Sequence, residues 1–195
     1  MISFIKGKMV FKSPTHVVVE TAGGVGYHLH ISLYTYGQLK DEEQCKLHTY
    51  LSIKEDAHTL FGFFEEGERR LFKHLISVSG IGPGTARMML SSITPQEIQQ
   101  AIVQGNIAMV QRIKGIGPKS AQRLILELQD KLKKEGLDSL ISAPLNNTAK
   151  DEALSALVML GFSKQVAEKA LDVIQKTEGD NLPVEQLIKL ALKSI

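Results

Sequence analysis

Residues 78–87 have the sequence Val-Ser-Gly-Ile-Gly-Pro-Gly-Thr-Ala-Arg, and residues 113–122 have the sequence Ile-Lys-Gly-Ile-Gly-Pro-Lys-Ser-Ala-Gln. The two stretches align without a gap, and in both of them Gly-Ile-Gly-Pro precedes a small hydroxyl residue and an alanine. Glycine permits a tight turn and leaves no side chain between the backbone and a ligand. Proline suits the first turn of a helix, where an amide proton would have no intrahelical partner. The repeat therefore predicts two hairpins, each followed by a helix.

The repeated pattern resembles the helix-hairpin-helix motif, and it predicts anion binding through the backbone. The amides of each turn and of the following helix N-terminus face outward, where the helix dipole favours negative charge. The isoleucine of each Gly-Ile-Gly unit is expected to anchor the turn in the core. A phosphate can then be held without any contact to a base. The predicted DNA-binding residues are Gly80, Ile81, Gly82, Gly84, Arg87, Lys114, Gly115, Ile116, Gly117, Lys119, Ser120 and Arg123.

The two hairpins differ in charge. Lys119 supplies a cation directly after the proline of the second hairpin, and Arg123 follows one helical turn later. At the first hairpin Gly84 takes the position of that lysine, and Arg87 is the nearest cation in the following helix. Main-chain amides are therefore expected to contribute more of the contact at the first hairpin. A plain helix-connecting turn is the alternative interpretation for either copy taken alone.

Positive charge is concentrated in the middle of the chain, although the net charge of all 195 residues is only +2. Residues 1–64 hold six lysines and six acids, and residues 143–195 hold six lysines and seven acids. Residues 69–134 hold eleven lysines and arginines against three acids, which gives a net charge of +8. A polyanion is the natural partner of such a segment. A solvated helical face would give the same totals, so charge alone does not identify the partner.

The first 64 residues have the pattern of a small β-structure. Apolar alternation predicts about five strands, near residues 2–11, 17–19, 27–31, 47–53 and 60–63. The glycine-rich segment 23–26 supplies a turn between two of them. A closed barrel is the economical way for so few strands to protect their edges. Glu55 and Asp56 fall in the turn before the last strand, where such a pair is ordinarily just solvated, although in a DNA-binding protein it would repel phosphates.

The remainder of the chain has helical spacing, interrupted once. Thr94-Pro95-Gln96-Glu97 predicts an N-cap, a proline at the first helical position and a capping-box acid. Residues 143–150, Ala-Pro-Leu-Asn-Asn-Thr-Ala-Lys, predict a linker. Three short amphipathic helices are expected after it. The predicted fold is α+β and multidomain, with a barrel over residues 1–64, an all-α domain with both hairpins over 65–142, the linker over 143–150, and a three-helix domain over 151–195.

Catalysis and cofactor binding have little support in the sequence. Gly117-Pro118-Lys119-Ser120 lacks the G-x-x-x-x-G-K-[ST] spacing of a nucleotide-binding loop. Lys119 and Asp138 imitate the nucleophile and acid of helix-hairpin-helix glycosylases, but Asp138 lies in a polar run, and the chain has no tryptophan for a base-stacking pocket. The single cysteine, Cys45, supports neither a disulfide nor a cysteine metal cluster. We predict no catalytic residue, no metal and no cofactor.

Two alternatives to a binding scaffold stay open. One is a helix-hairpin-helix repair enzyme of the glycosylase type, and the other is a generic duplex-binding module with a protein-interaction tail. No apolar run reaches the roughly 18 residues of a membrane span. The N-terminus also lacks the basic, apolar and small-residue segments of a signal peptide. A cytoplasmic location is therefore expected, with no membrane partner.

Taken together, the barrel, paired hairpins, linker and small helical domain resemble the RuvA family, the Holliday-junction-binding subunits of the bacterial branch-migration complex. The likeness covers essentially the whole chain. The segments that carry it are Gly23-Gly24-Val25-Gly26-Tyr27, Glu55-Asp56-Ala57, Leu60-Phe61-Gly62-Phe63, Glu68-Arg69, Leu71-Phe72-Lys73, Gly80-Ile81-Gly82-Pro83, Gly115-Ile116-Gly117, Ala156-Leu157 and Leu160-Gly161-Phe162.

The resemblance implies an OB-like barrel that assembles four subunits into a homotetramer. It implies that Glu55 and Asp56 form an acidic pin near the centre of the junction, where they repel phosphates and guide separated strands. The hairpins would hold the duplex arms by backbone contacts on the minor-groove side. The departure from the family is Gly84, where relatives often have lysine, which implies a weaker direct charge at the first hairpin.

The resemblance also implies protein partners. The C-terminal domain, of a ubiquitin-associated-like type, would bind the hexameric RuvB motor ATPase through Leu157, Leu160, Gly161 and Phe162. ATP hydrolysis would belong to that partner. The RuvC resolvase and a second tetramer on the same junction are further partners that the resemblance admits.

Overall fold

The computed structural model describes residues 1–40, 44–141, 149–178 and 182–194. The chain forms two compact units, Met1–Leu137 and Asp138–Ile195. A closed barrel and helices make up the first unit, and helices make up the second, which confirms the predicted α+β class. No helix within the described ranges is both long and apolar enough to cross a membrane.

Five strands close into a barrel at the start of the first unit. They are β1 (Phe4–Lys12), β2 (His16–Glu20), β3 (Gly26–His30), β4 (Gln44–Ile53) and β5 (His58–Phe63). The strand order is β1-β2-β3-β5-β4, and β3 and β5 run parallel. Alternate side chains, among them Val17, Leu29 and Leu47, fill the barrel and are fully buried. The predicted OB-like barrel is confirmed.

Two glycines are required by the barrel backbone. A Cβ atom on Gly7 in β1 would lie 2.1 Å from the carbonyl oxygen of Glu20 in β2, so a side chain cannot fit there. Gly24, in the turn between β2 and β3, has φ +77°, which favours glycine. The turn that the sequence predicted at residues 23–26 is therefore present.

A short helix between β3 and β4 was not predicted from the sequence. It is α1 (Leu33–Gln38), and the side chain of its N-cap residue Ser32 accepts a hydrogen bond from the Thr35 amide at 3.0 Å. Six residues are too few to show an apolar period, so propensity could not indicate this helix. Leu39 follows α1 directly and is buried in the barrel core.

Five helices follow the barrel. They are α2 (Glu66–Ser77), α3 (Pro83–Ser92), α4 (Pro95–Val103), α5 (Ile107–Gln111) and α6 (Pro118–Ile141). The predicted capping box at the start of α4 is confirmed, because the Thr94 hydroxyl accepts from the Glu97 amide at 3.3 Å and the Glu97 carboxylate accepts from the Thr94 amide at 2.8 Å. This reciprocal pair satisfies two amides that have no intrahelical acceptor.

An aromatic cluster joins the barrel to the helices of the first unit. Phe72 in α2 is fully buried, and its ring centroid lies 4.8 Å from that of Phe63, 5.2 Å from Phe61 and 5.4 Å from Tyr50. Aromatic pairs at these separations stabilise packing beyond the area that they bury. The apolar core of the hairpin region is therefore continuous with the end of the barrel.

The second unit is a bundle of three helices. They are α7 (Ala149–Met159), α8 (Lys164–Glu178) and α9 (Val184–Ser194). Small and branched apolar residues fill its core, among them Leu157, Ala167, Leu171 and Leu187. The predicted three-helix domain is confirmed. Of the predicted linker, residues 143–148 lie outside the described ranges.

Candidate nucleic-acid interface

The two hairpin turns are closed by equivalent hydrogen bonds. The Ile81 amide donates to the carbonyl oxygen of Val78 at 3.0 Å, and the Ile116 amide donates to that of Ile113 at 3.1 Å. The side chains of Ile81 and Ile116 are only 3% and 6% exposed. Since both their side chains and their amides are engaged inside the protein, these isoleucines position the turns.

The helices that follow the turns also begin in the same way. The Ala86 amide donates to the carbonyl oxygen of Gly82 at 2.9 Å, and the Ala121 amide donates to that of Gly117 at 3.0 Å. The prolines that come next are the first residues of α3 and α6. The remaining amides of each first turn have no acceptor within the helix. The sequence repeat is therefore a structural repeat with two helix N-termini.

Five glycines in the hairpins fall into two classes. Gly80 and Gly115 both have φ +91°, so the turn itself favours glycine there. A Cβ atom on Gly82, Gly84 or Gly117 would meet no atom of the protein within 4 Å, and none of these three has a positive φ. The fold therefore does not require glycine at these three positions, whereas close approach of a ligand to the backbone would.

Lysine side chains border the second hairpin. Lys114 and Lys119 are exposed, and Ser120 is half-buried in the first turn of α6. Lys119 comes directly after the proline that opens α6, so its ammonium group can reach an anion near the helix N-terminus. At the equivalent position of the first hairpin, Gly84 is exposed and offers only its backbone.

Both predicted arginines hydrogen-bond backbone carbonyls of neighbouring segments. Nη1 of Arg87 donates to the Thr15 carbonyl oxygen at 3.0 Å, which links α3 to the turn between β1 and β2. Nη1 of Arg123 donates to the carbonyl oxygen of Ser79 at 3.4 Å, in the first hairpin, and its Nε lies 4.0 Å from a Glu127 carboxylate oxygen. A guanidinium has five donors, so these contacts leave others for a phosphate.

The acidic pair lies at the tip of a tight turn between β4 and β5. The Lys54 amide donates to the carbonyl oxygen of Ala57 at 2.9 Å, and the Ala57 amide donates back at 3.4 Å. Glu55 and Asp56 are the two residues between them, and both are exposed. Ile53 beside the turn is also exposed. The turn therefore presents two carboxylates to solvent.

Sequence reasoning missed a buried carboxylate beside the barrel. Glu68 in α2 is 1% exposed and accepts hydrogen bonds from the hydroxyl groups of Ser32 and Thr35, both at 2.5 Å. Burial raises the pKa of Glu68, although the two hydroxyl groups oppose that rise. In the sequence, only the Glu68-Arg69 pair of the family resemblance marks this position.

Three histidines form a row of ring contacts on the outer side of the barrel, here called the histidine stack, in which His16 is stacked on His28 and His30 meets His28 edge to face. The ring of His16 lies 5.0 Å from Phe11 and 4.4 Å from His28, and His28 lies 4.9 Å from His30. Burial lowers the pKa of His28 and of His30, and neighbouring imidazoles lower both further; for His30 the charge of Arg87 also contributes. Within the described residues, no three His, Cys, Asp or Glu side chains are arranged to hold a metal ion.

The predicted partner-binding residues of the second unit differ in exposure. Leu157 is fully buried in the bundle core, so its prediction as a contact residue is corrected: it stabilises the bundle. Leu160 is 61% exposed, and Met159, which the sequence did not indicate, is 88% exposed. Gly161 has φ +103° and ends α7, while Phe162 is half-buried against the core. The two most exposed large apolar side chains of the described part of this unit therefore lie at the end of α7.

Comparisons with known proteins account for nearly the whole chain. Three family models match it: "RuvA N terminal domain" over residues 1–62, "SAM-like Helix-hairpin-helix tandem" over 72–130, and "RuvA, C-terminal domain" over 148–195. A protein of Cytophaga hutchinsonii is 52% identical over 198 residues, which cover 99% of each chain. A protein of Flavobacterium psychrophilum is 53% identical over 196 residues and all of each chain. The chain belongs to the RuvA family.

A third RuvA relative, from Christiangramia forsetii, is 47% identical over all of each chain. All three relatives carry the name "Holliday junction branch migration complex subunit RuvA". The tandem helix-hairpin-helix match contains both hairpins of this RuvA family member, and the RuvA C-terminal match contains its three-helix bundle.

Proposed function

We propose that this chain is a non-catalytic, sequence-independent Holliday-junction-binding subunit, which recruits and stimulates the RuvB motor ATPase for branch migration in recombination and DNA repair. The names of its relatives support the junction-binding role. The two equivalent hairpins supply the chemistry, because each offers outward amides at a helix N-terminus to a phosphate. Backbone phosphates carry no sequence information, so binding of this kind is independent of sequence.

The observation that carries the proposal is the open space at Gly82, Gly84 and Gly117. No protein atom fills the space beside these glycines, so a ligand can approach the backbone closely in both hairpins, next to the N-termini of α3 and α6. The surrounding net charge of +8 over residues 69–134 favours a polyanion as that ligand. DNA backbone satisfies both requirements.

The proposed division of labour follows the domains predicted from the sequence. Residues 1–64 would form the homotetramer and present Glu55 and Asp56 as the acidic pin, which repels phosphates at the crossing point. Residues 65–142 would hold the duplex arms. The three-helix bundle, which begins at Ala149 at the end of the predicted linker, would bind RuvB through Leu160, Gly161 and Phe162, and ATP hydrolysis would belong to RuvB. A second tetramer and the RuvC resolvase are further partners consistent with this arrangement.

A gel-shift experiment tests the proposal. The full chain is titrated against a four-way junction and against a linear duplex of equal length, and we expect clear preference for the junction. Equal affinities would favour a generic duplex-binding module. The enzyme alternative is tested on DNA with a damaged base: base release by the wild type that is lost in Lys119→Ala would make the non-catalytic proposal wrong.

A further inference from the structure

Two adjacent residues of α2 hold the barrel in different ways. The carboxylate of Glu68 accepts hydrogen bonds from two side-chain hydroxyl groups of the segment that begins α1. Its Oε1 atom accepts from Ser32 and its Oε2 atom accepts from Thr35, each at 2.5 Å. All three side chains are 0–1% exposed. Hydrogen bonds to a charged group are stronger than neutral ones, and they are directional. This carboxylate therefore fixes α2 against α1.

The two hydroxyl groups are themselves oriented by the backbone. The Ser32 oxygen accepts from the Thr35 amide at 3.0 Å, and the Thr35 oxygen accepts from the Phe64 amide at 3.0 Å. Since each oxygen already accepts one hydrogen bond from the backbone, its proton is directed to Glu68. Phe64 follows the last strand of the barrel, so the network ties α2, α1 and the end of β5 together.

Arg69 reaches a different part of the barrel. Its Nη1 atom donates to the carbonyl oxygen of Ser3 at 2.8 Å and to that of Thr49 at 3.2 Å. Its Nη2 atom contacts a carboxylate oxygen of Glu66 at 2.7 Å, and the other carboxylate oxygen of Glu66 lies 3.0 Å from Nδ1 of His48. Arg69 thus connects α2 to the start of the chain and to β4.

Neighbouring residues on a helix point about 100° apart. The contacts of Glu68 and Arg69 therefore oppose rotation of α2 on the barrel about more than one axis. The aromatic packing around Phe72 also holds the two parts together, but hydrophobic attraction has no preferred direction. We propose that Glu68 and Arg69 are positioning residues, which fix the orientation of the hairpins relative to the acidic turn and thereby set the preference for a junction over a duplex.

The link to selectivity rests on the proposed function. A linear duplex needs only the hairpins, whereas a junction must bind the hairpins with its crossing point aligned on the acidic turn, so that the two carboxylates lie between the arms. If the barrel and the hairpins are rigidly connected, the protein loses no conformational entropy when it binds a junction, which is the general benefit of preorganisation. If the barrel could rotate on α2, duplex binding would persist and the advantage of the junction would shrink.

Binding experiments on the full chain test the specificity part of this inference. Glu68→Ala should lower the ratio of junction affinity to duplex affinity by about tenfold, which corresponds to the loss of one strong contact. The affinity for duplex should stay within about twofold of that of the wild type. Glu68→Gln should restore part of the ratio, because the amide oxygen can still accept from one hydroxyl group and the amide nitrogen can donate to the oxygen of the other. The matched control is Glu65→Ala, since Glu65 is exposed and makes a 3.4 Å contact with the Tyr34 hydroxyl.

Distance measurements test the positioning itself, without DNA. Spin labels are placed at Lys54→Cys in the acidic turn and Gln122→Cys in α6, in a Cys45→Ser background, and the labelled chain is mixed with an excess of unlabelled chain so that only distances within one chain are measured. We expect one narrow distance distribution for the wild-type contacts and for Glu68→Gln, and a broad one for Glu68→Ala. Arg69→Ala provides a second variant if thermal unfolding shows that Glu68→Ala does not fold.

The results distinguish a failure of the proposed function from a failure of the positioning role. Equal affinity of the wild type for junction and duplex would reject the proposed function, while a broadened distribution in the variants would still support positioning. A wild-type preference for the junction, combined with unchanged distributions and an unchanged affinity ratio in folded Glu68→Ala and Arg69→Ala, would overturn the inference.

Discussion

The guanidinium of Arg123 donates a hydrogen bond to the carbonyl oxygen of Ser79 at 3.4 Å, so the helix that follows the second hairpin contacts the first. The two residues are 44 positions apart in the chain. This contact ties the helix after the second hairpin to the first hairpin, and with it the two proposed phosphate sites. The sequence suggested that Arg123 supports the second hairpin, and the structure adds a contact to the first.

Adding a methyl group to the hairpin glycines should weaken DNA binding without unfolding the protein. A Cβ atom at Gly82 or Gly117 would meet no protein atom within 4 Å. Replacing a glycine N-cap by alanine lowers the free energy of unfolding by at most about 1 kcal/mol. The new Cβ atom stands where a phosphate would approach, so we expect about tenfold weaker binding, equivalent to about 1.4 kcal/mol. Fluorescence anisotropy with labelled junction DNA measures the affinity.

The control for these variants is Gly67→Ala in the first turn of α2, where a Cβ atom also meets nothing within 4 Å. It should leave DNA affinity unchanged. If the hairpin variants bound DNA as tightly as this control, close backbone approach at the hairpins would be disproved.

The charge difference between the hairpins should be visible in the salt dependence of binding. Lys119→Ala removes one phosphate contact and should reduce the slope of log affinity against log salt by about 0.9. Gly84→Lys introduces the equivalent cation at the first hairpin, where the space is open, and should increase the slope by a similar amount. Titrations at four salt concentrations measure both. Identical slopes for all three proteins would mean that neither position contacts a phosphate.

The hairpins were predictable from sequence because their structure is local. Gly-Ile-Gly-Pro specifies a turn, an anchor and a helix start within four residues, and Ile81 and Ile116 are buried as expected. The hydrogen bonds that Arg123 donates to Ser79 and that Ser32 donates to Glu68 were not predictable, since each joins residues more than 30 positions apart. Such contacts depend on how the elements pack.

Leu157 is a second case in which the sequence did not predict the structure. Its helical spacing indicated an apolar face, but spacing cannot tell which apolar residues of a small bundle face its core and which face a partner. The structure buries Leu157 and exposes Met159 and Leu160. The six-residue helix α1 was missed for a related reason, because it is too short to show any period.

The stacked histidines should make the protein less stable in acid. The pKa values of His28 and His30 are lowered in the folded state, so the unfolded chain binds more protons below their usual value of 6.5. Stability therefore falls as pH decreases from about 6.5 through the folded pKa values. His28→Phe keeps a ring in the stack and removes one titrating group, so its melting temperature should fall less between pH 7 and pH 5.

The matched control is His58→Phe, an exposed histidine at the start of β5 that is not among the stacked rings. Its melting temperature should depend on pH as that of the wild type does. A His28→Phe protein that lost as much stability in acid as the wild type would show that the stack does not govern acid sensitivity.

The exposed end of α7 should be needed for stimulation of the motor and not for DNA binding. Leu160→Ser and Met159→Ser remove exposed apolar surface and should leave junction affinity unchanged, while ATP hydrolysis by RuvB in the presence of junction DNA should fall about tenfold, as expected for an interface hot spot. Leu192→Ser, on another exposed position of the bundle, serves as the control. Weakened DNA binding in the α7 variants would contradict the assigned division of labour.

Competition binding tests the central claim most directly. A labelled four-way junction is bound by the full chain, and unlabelled competitors are added: the same junction, a junction of permuted sequence with identical arm lengths, and a linear duplex of equal length. We expect both junctions to compete equally and the duplex to compete at least tenfold more weakly. A duplex that competed as well as the junctions, or a permuted junction that failed to compete, would contradict a sequence-independent grip on junction DNA.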